Sequence, residues 1–132
     1  MEERRRYEKL NDPSIPASGI AGIPLLIEAL KQGILAIEDP SLGAIDDQQL
    51  YLRALRDLVE EIELEETIPK LDLLERGALN AVLQRLRFYQ EEAQGRVSAA
   101  RTRSEELGQW QQSLVRYTQF ILAVEQLIRH VR

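Results

Sequence analysis

The stretch that decides the fold runs from Leu79 to Val131: LNAVLQRLRFYQEEAQGRVSAARTRSEELGQWQQSLVRYTQFILAVEQLIRHV. Taking Leu79 as heptad position a, the a sites are Leu79, Leu86, Ala93, Ala100, Leu107, Leu114, Ile121 and Ile128, all apolar. The d sites are Val82, Tyr89, Arg96, Arg103, Trp110, Tyr117, Val124 and Val131, of which only the two arginines are neither apolar nor aromatic. A 3.5-residue repeat held in one phase is the pattern of a coiled-coil seam. Between Lys70 and Arg132 there is no proline, one asparagine (Asn80) and one aspartate (Asp72), so the usual helix breakers are scarce. The seam narrows at Ala93, Val97 and Ala100. It widens later, where Val115, Phe120, Leu122 and Leu127 join it. A wide apolar face means packing against two or more helices.

Two architectures satisfy this pattern. In the first, residues 70–131 form one helix, about 90 Å long at the standard rise. In the second, the chain turns near 95–102 and returns as the last member of an antiparallel four-helix bundle. Gly95 would then follow the helix end, and Thr102 with Glu105 would form a capping box. The unbroken phase favours the continuous helix, because a loop usually resets register, and a glycine costs a helix only about 1 kcal/mol. The expectation is therefore an all-α protein in which two short helices pack on a long coiled-coil-like C-terminal helix. Beyond about residue 96 that helix outruns its own cover and needs another chain.

Upstream, residues 1–23 read as an extended tail or linker. Asn11-Asp12-Pro13 stops any short helix in 1–10, and PSIPASGIAGI is rich in Pro, Gly and Ser. A single helical domain then spans 24–132. Its first helix is expected over 24–38, with Pro24 at a first-turn position where its missing N–H is harmless. Leu26, Leu30, Ile34 and Ile37 form its apolar stripe, and Asp39-Pro40 ends it. A second helix is expected over 47–66, capped by Asp46 with Gln49 and buried along Leu55, Leu58 and Ile62. Its end carries Glu60, Glu61, Glu65 and Glu66, which oppose the helix dipole and invite neutralising arginines. Pro69 suits the first turn of the long C-terminal helix.

The 132 residues carry a net charge of −5 and no cysteine. Residues 1–66 hold 7 basic and 15 acidic groups; residues 67–132 hold 10 and 7. The halves are therefore −8 and +3 and attract each other. Such an acidic chain suits nucleic acid poorly, since phosphate binding needs a concentrated basic face. A regulator linked to nucleic acid would have to use Arg87, Arg96, Arg101 and Arg103. A thiolate zinc site is excluded, and a single histidine, His130, excludes histidine-rich metal clusters. No signal-peptide pattern follows the charged first residues. The most apolar stretch, 19–37, is broken by Gly22-Ile23-Pro24 and carries Glu28 and Lys31, so membrane insertion is not expected. An intracellular, cytoplasmic protein is the expectation.

No catalytic constellation is legible. The carboxylate pairs Glu60/Glu61, Glu65/Glu66, Glu91/Glu92 and Glu105/Glu106 are adjacent and so point to different helix faces. The serines lack a base other than His130, and no phosphate loop, nucleophile elbow or metal-ligand spacing occurs. An enzyme, a cofactor and a small-molecule substrate are not expected. The function expected is protein–protein interaction: a helical subunit, adaptor or assembly factor that oligomerises or binds a partner through its C-terminal helix. Its interface residues would be Leu107, Trp110, Leu114, Tyr117, Phe120, Ile121, Val124 and Ile128. Arg96, Arg101 and Arg103 would pair with Glu60, Glu61, Glu65 and Glu66, or hold an anion. The alternative is a monomeric bundle acting as a regulator or chaperone for a peptide segment.

Overall fold

A computed structural model describes residues 22–99 and 105–130. These residues form four α-helices and one short 3-10 turn, with no strand among them. The protein is all-α, as the periodicity requires. The helices are α1 (Ile23–Glu38), α2 (Gln48–Glu65), α3 (Leu73–Ala99) and α4 (Glu105–His130).

Local chemistry explains each boundary. Gly22 precedes α1 at φ 90°, a conformation an L side chain rarely adopts, and Pro24 sits in the first turn. Asp39 ends α1 and starts the turn Pro40–Leu42 by accepting hydrogen bonds from Ser41 N at 2.9 Å and Ser41 Oγ at 2.7 Å. The expected Asp46–Gln49 capping box is absent. Instead Asp47 is left-handed (φ 63°) and makes no side-chain cap, while Gln48 Oε1 accepts from Ile45 N at 3.3 Å. α2 closes at Glu66, also left-handed (φ 57°), whose N–H donates to Ile62 O. The α3 start lies beyond Pro69. Asp72 and Glu75 cap each other's backbone N–H groups at 2.9 and 2.7 Å, a reciprocal capping box. Ile68 and Leu71, both buried, pin the intervening connection to the core.

The continuous C-terminal helix is replaced by two. α3 and α4 lie antiparallel, as four cross-links along their length require. Arg87 pairs with Glu125, Gln90 Nε2 donates to Thr118 Oγ1 at 3.0 Å, Tyr89 meets Tyr117 at 5.6 Å between ring centroids, and Arg96 lies 4.9 Å over Trp110. Partners advance on one helix as they retreat on the other. Gly95, considered as a helix stop, sits inside α3, and 100–102 of the expected turn lie outside the described residues. The physical reason is the wide apolar face of α4. Phe120, Ile121, Ala123, Val124 and Leu127 are buried within this one chain against α3 and α1, so the bundle satisfies what a rod would have left to a second molecule.

α1 and α2 form a second antiparallel pair, bridged by Lys31–Glu63 and Arg56–Glu38. α1 then packs directly on α3 at Gly33, where a Cβ would stand 2.4 Å from Val82 Cγ1. α1 and α3 each touch all three other helices, whereas α2 and α4 sit on opposite sides. The core lies where these layers overlap: Leu26, Leu30, Ile37, Leu55, Leu58, Ile62, Leu79, Leu86 and Phe120 are fully buried. α1 and α2 measure about 24 and 27 Å, but α3 and α4 about 40 Å each. The end of the α3–α4 hairpin therefore projects past the layer that covers its base.

Candidate functional site

The projecting end is built from the last turns of α3 and the first half of α4. No side chain described between residues 106 and 119 of α4 is fully buried, whereas Phe120, Ile121, Ala123, Val124 and Leu127 are. The eight expected interface residues thus divide. Phe120, Ile121 and Val124 are core of this chain, and Ile128 packs against that core. Leu107, Trp110, Leu114 and Tyr117 remain half-buried, lying on α3 with no third helix sealing them. Tyr117 is the junction, since it stacks on Tyr89 and meets Phe120 edge-on at 6.3 Å.

Arg96 meets other groups than the glutamates expected for it. Arg96 lies over the Trp110 ring and bridges to Glu92 at 3.7 Å, one turn back on its own helix. Glu60, Glu61, Glu65 and Glu66 are exposed at the C-terminal end of α2. That end leads directly into the first turn of α3. Arg96 sits 23 residues beyond Leu73, about 34 Å along the α3 axis. The two clusters are therefore at opposite ends of the bundle. Arg101 and Arg103 lie outside the described residues. Glu61 acts locally: burial raises the Glu75 carboxyl above its ordinary value of 4.5 against the hydrogen bond from Asp72, and the Glu61 charge adds to the rise.

A polar knot that the sequence does not announce locks the base. Arg85, only 8% exposed, donates to Gly43 O at 2.6 Å, and Tyr89 Oη donates to Asp39 Oδ2 at 2.7 Å. The hydrogen bond from Tyr89 and those from Ser41 hold the Asp39 carboxyl below its usual value. Burial and the Asp39 partner push the Tyr89 hydroxyl up to about 12. Both groups are held in their structural protonation states, and the bonds they make tie the α1–α2 connection to α3. This is anchoring chemistry.

Two open depressions flank α4. One, about 500 Å³, lies between α3 and α4 and is lined by Gln90, Glu91, Gln94, Gly95, Leu114 and Thr118. The other, about 650 Å³, runs along the outer face of α4 past Gly108, Gln111, Gln112, Val115, Arg116 and Gln119. On that face Val115 and Leu122 are 57% and 50% exposed. Both belong by sequence to the widened apolar face, but the bundle covers neither. Among the described residues no group of three His, Cys, Asp or Glu side chains is placed to hold a metal ion, and no helix is long and apolar enough to cross a membrane. Comparison with known protein-family models, curated proteins and solved structures finds no match for this chain.

Proposed function

We propose that this chain is a non-enzymatic interaction protein, an adaptor, assembly factor or helical subunit, that docks a protein partner through the uncovered part of α4. One observation carries the reading. The base of α4 is sealed by its own bundle, while Leu107, Trp110 and Leu114 are only partly buried on an arm that projects beyond α1 and α2. An aromatic anchor on a rigid helical platform is the usual energetic centre of a protein interface. The obligate partner implied by a continuous rod is no longer needed for folding; docking is a property of the finished bundle.

A second reading, a monomeric bundle that regulates or chaperones a peptide segment, draws on the polar cleft at Gln90, Gln94, Leu114 and Thr118. Its amide and hydroxyl groups suit an extended backbone better than an apolar helix. A cytoplasmic site of action belongs to both readings, and cell fractionation tests it.

The functional test is affinity purification of the tagged chain from its native cells beside a Trp110→Ala variant. The expected result is a protein recovered with the wild type and reduced at least about thirtyfold in affinity by the variant, the effect of losing a hot spot of about 2 kcal/mol. An unchanged helical circular-dichroism spectrum would show that the fold survives. Equal recovery of every associated protein by both forms would overturn the reading.

A further inference from the structure

Resting on the reading of α4 as the docking helix, we infer that a second copy of this chain packs on its outer face. Gly108, Gln112, Val115, Gln119, Leu122 and Gln126 recur at alternating spacings of four and three. This is a second heptad seam, rotated away from the one that α4 spends on α3 and α1. Glutamine fills one of its two positions throughout, and Gly, Val and Leu fill the other. The structure leaves this seam open from Gly108 to Leu122, while beyond it the Gln126 Oε1 is buried. Val115 and Leu122 are half or more exposed, and a Cβ added at Gly108 would meet nothing within 4 Å. The depression from Gly108 to Gln119 is a row of holes of the kind that a facing helix fills with knobs.

The chemistry of the seam selects its occupant. No acidic or basic residue belongs to it; Arg116 only borders it. A charged peptide or a nucleic acid finds no complementary row, and a lipid surface meets an amide at every second layer. A second copy of the same stripe fits throughout. Each glutamine amide carries donors and an acceptor, so facing glutamine layers satisfy one another, and the Val and Leu layers bury one another between them. Such facing layers require a parallel pair, whose two-fold axis runs along the seam, so that each Gln119 meets its own copy. The open stripe from Gly108 to Leu122 is 14 rises long, about 21 Å, and two helices meeting over it bury on the order of 1,000 Å². That is the low end for a specific complex, and polar seam residues trade stability for register. The dimer is therefore reversible, with a dissociation constant in the micromolar range on the order-of-magnitude scale of such contacts.

The test is light scattering and sedimentation of the full chain between about 1 and 500 µM. The expected mass rises with concentration from 15.2 kDa toward about 30 kDa. Gln119→Glu places two carboxylates face to face and weakens association at least about tenfold, with unchanged circular dichroism. Because the chain has no cysteine, Gln119→Cys reports proximity directly. Under mild oxidation it gives a disulfide-linked dimer, and Gln49→Cys, on exposed α2 surface, does not. A mass of 15.2 kDa at every concentration overturns the inference, as does a dimer indifferent to both Gln119 substitutions. A monomer that still holds a different protein through Trp110 overturns it too, while leaving the broader interaction reading standing.

Discussion

Gly33→Ala is the sharpest test of how the bundle is put together. In an exposed helix the change stabilises by about 1 kcal/mol, because alanine has less backbone entropy to lose. Gly95 in α3 supplies that baseline, since nothing lies within 4 Å of an added Cβ there. At Gly33 the same atom would stand 2.4 Å from Val82 Cγ1, 2.8 Å from Cγ2 and 3.1 Å from Cβ. Both residues are buried, and valine in a helix has essentially one rotamer, so Val82 has nowhere to turn. Either α1 backs off α3 by about 1 Å or the core distorts, and overpacking of this kind costs about 1–3 kcal/mol. Taking the upper part of that range and subtracting the propensity gain leaves Gly33→Ala destabilising by about 1–2 kcal/mol. Val82→Ala alone opens a cavity worth about 2 kcal/mol. In the double variant the new methyl occupies the space vacated by the valine, so it is no less stable than Val82→Ala. The coupling is then at least about 1 kcal/mol, beyond the additivity expected of separate sites. Urea unfolding of the four proteins of the cycle measures it, with Gly95→Ala as control. A Gly33→Ala gain equal to that of Gly95→Ala would mean that α1 does not seat on α3 and that the architecture is wrong.

Other expectations rest on named contacts. Gln90→Cys with Thr118→Cys joins two side chains that touch across the α3–α4 hairpin. An intramolecular disulfide should form readily, whereas in one continuous helix the positions would lie about 42 Å apart and only intermolecular products would appear. Tyr89 should titrate near 12 by absorbance at 295 nm. Its folded value lies above the unfolded value of 10, so its stabilisation is whole below pH 10 and is lost as pH rises through about 12. Tyr89→Phe should abolish that late step, and its persistence would refute the assignment. Asp39 works in the opposite sense: its lowered folded value makes its contribution present at neutral pH and lost on acidification through that value. Asp72→Ala should cost about 1 kcal/mol by removing one half of the α3 capping box, whereas Glu75→Gln keeps the geometry, removes a charge repelled by Glu61 and should stay within about 0.5 kcal/mol of wild type. Equal losses in thermal unfolding would contradict this.

The long heptad misleads for a geometric reason. Tyr89 faces Tyr117 and Arg96 faces Trp110, and all four are d positions. Both pairs are symmetric in number about residue 103, so a reversal centred there returns d to d but carries the a sites Leu79 and Leu86 onto Leu127 and Phe120, one place off the a register. The d register survives the turn unchanged and says nothing about whether a turn exists. The informative signal is breadth. Phe120 and Leu127, outside the seam, demand a second neighbour, and α1 carries the matching stripe of Leu26, Leu30, Ile34 and Ile37. α1 and α2 are legible to within one residue at each end because their apolar spacing and terminal Pro and Asp signals agree. Pro69 draws attention away from the Asp72–Glu75 box that starts α3, although the spacing of that box is plain in the sequence. The Asp39–Tyr89 and Arg85–Gly43 bonds join residues 50 and 42 positions apart, and no local pattern encodes such pairings. The same holds for the void that Gly33 leaves for Val82.

Within α4, stability and recognition occupy different parts of one helix. Residues from Phe120 to Leu127 hold the helix through burial on α1 and α3, at roughly 1.5–3 kcal/mol for each large side chain taken from water. Val115 and Gln119, both exposed, contribute far less to the fold, because in the isolated bundle they keep much of their surface in water. Truncating them removes little burial and leaves no cavity to be filled. Yet they ride on a helix whose other half is clamped, so little further entropy is lost when a partner covers them. A surface with low cost to the fold and low cost of ordering can be altered in affinity without altering the stability of the chain that carries it. For that reason the unfolding free energies of Val115→Ala and Gln119→Glu should remain within about 1 kcal/mol of wild type in dilute solution, where the chain is monomeric. A larger loss would mean that the projecting arm belongs to the core after all, and that its exposure is not a docking surface.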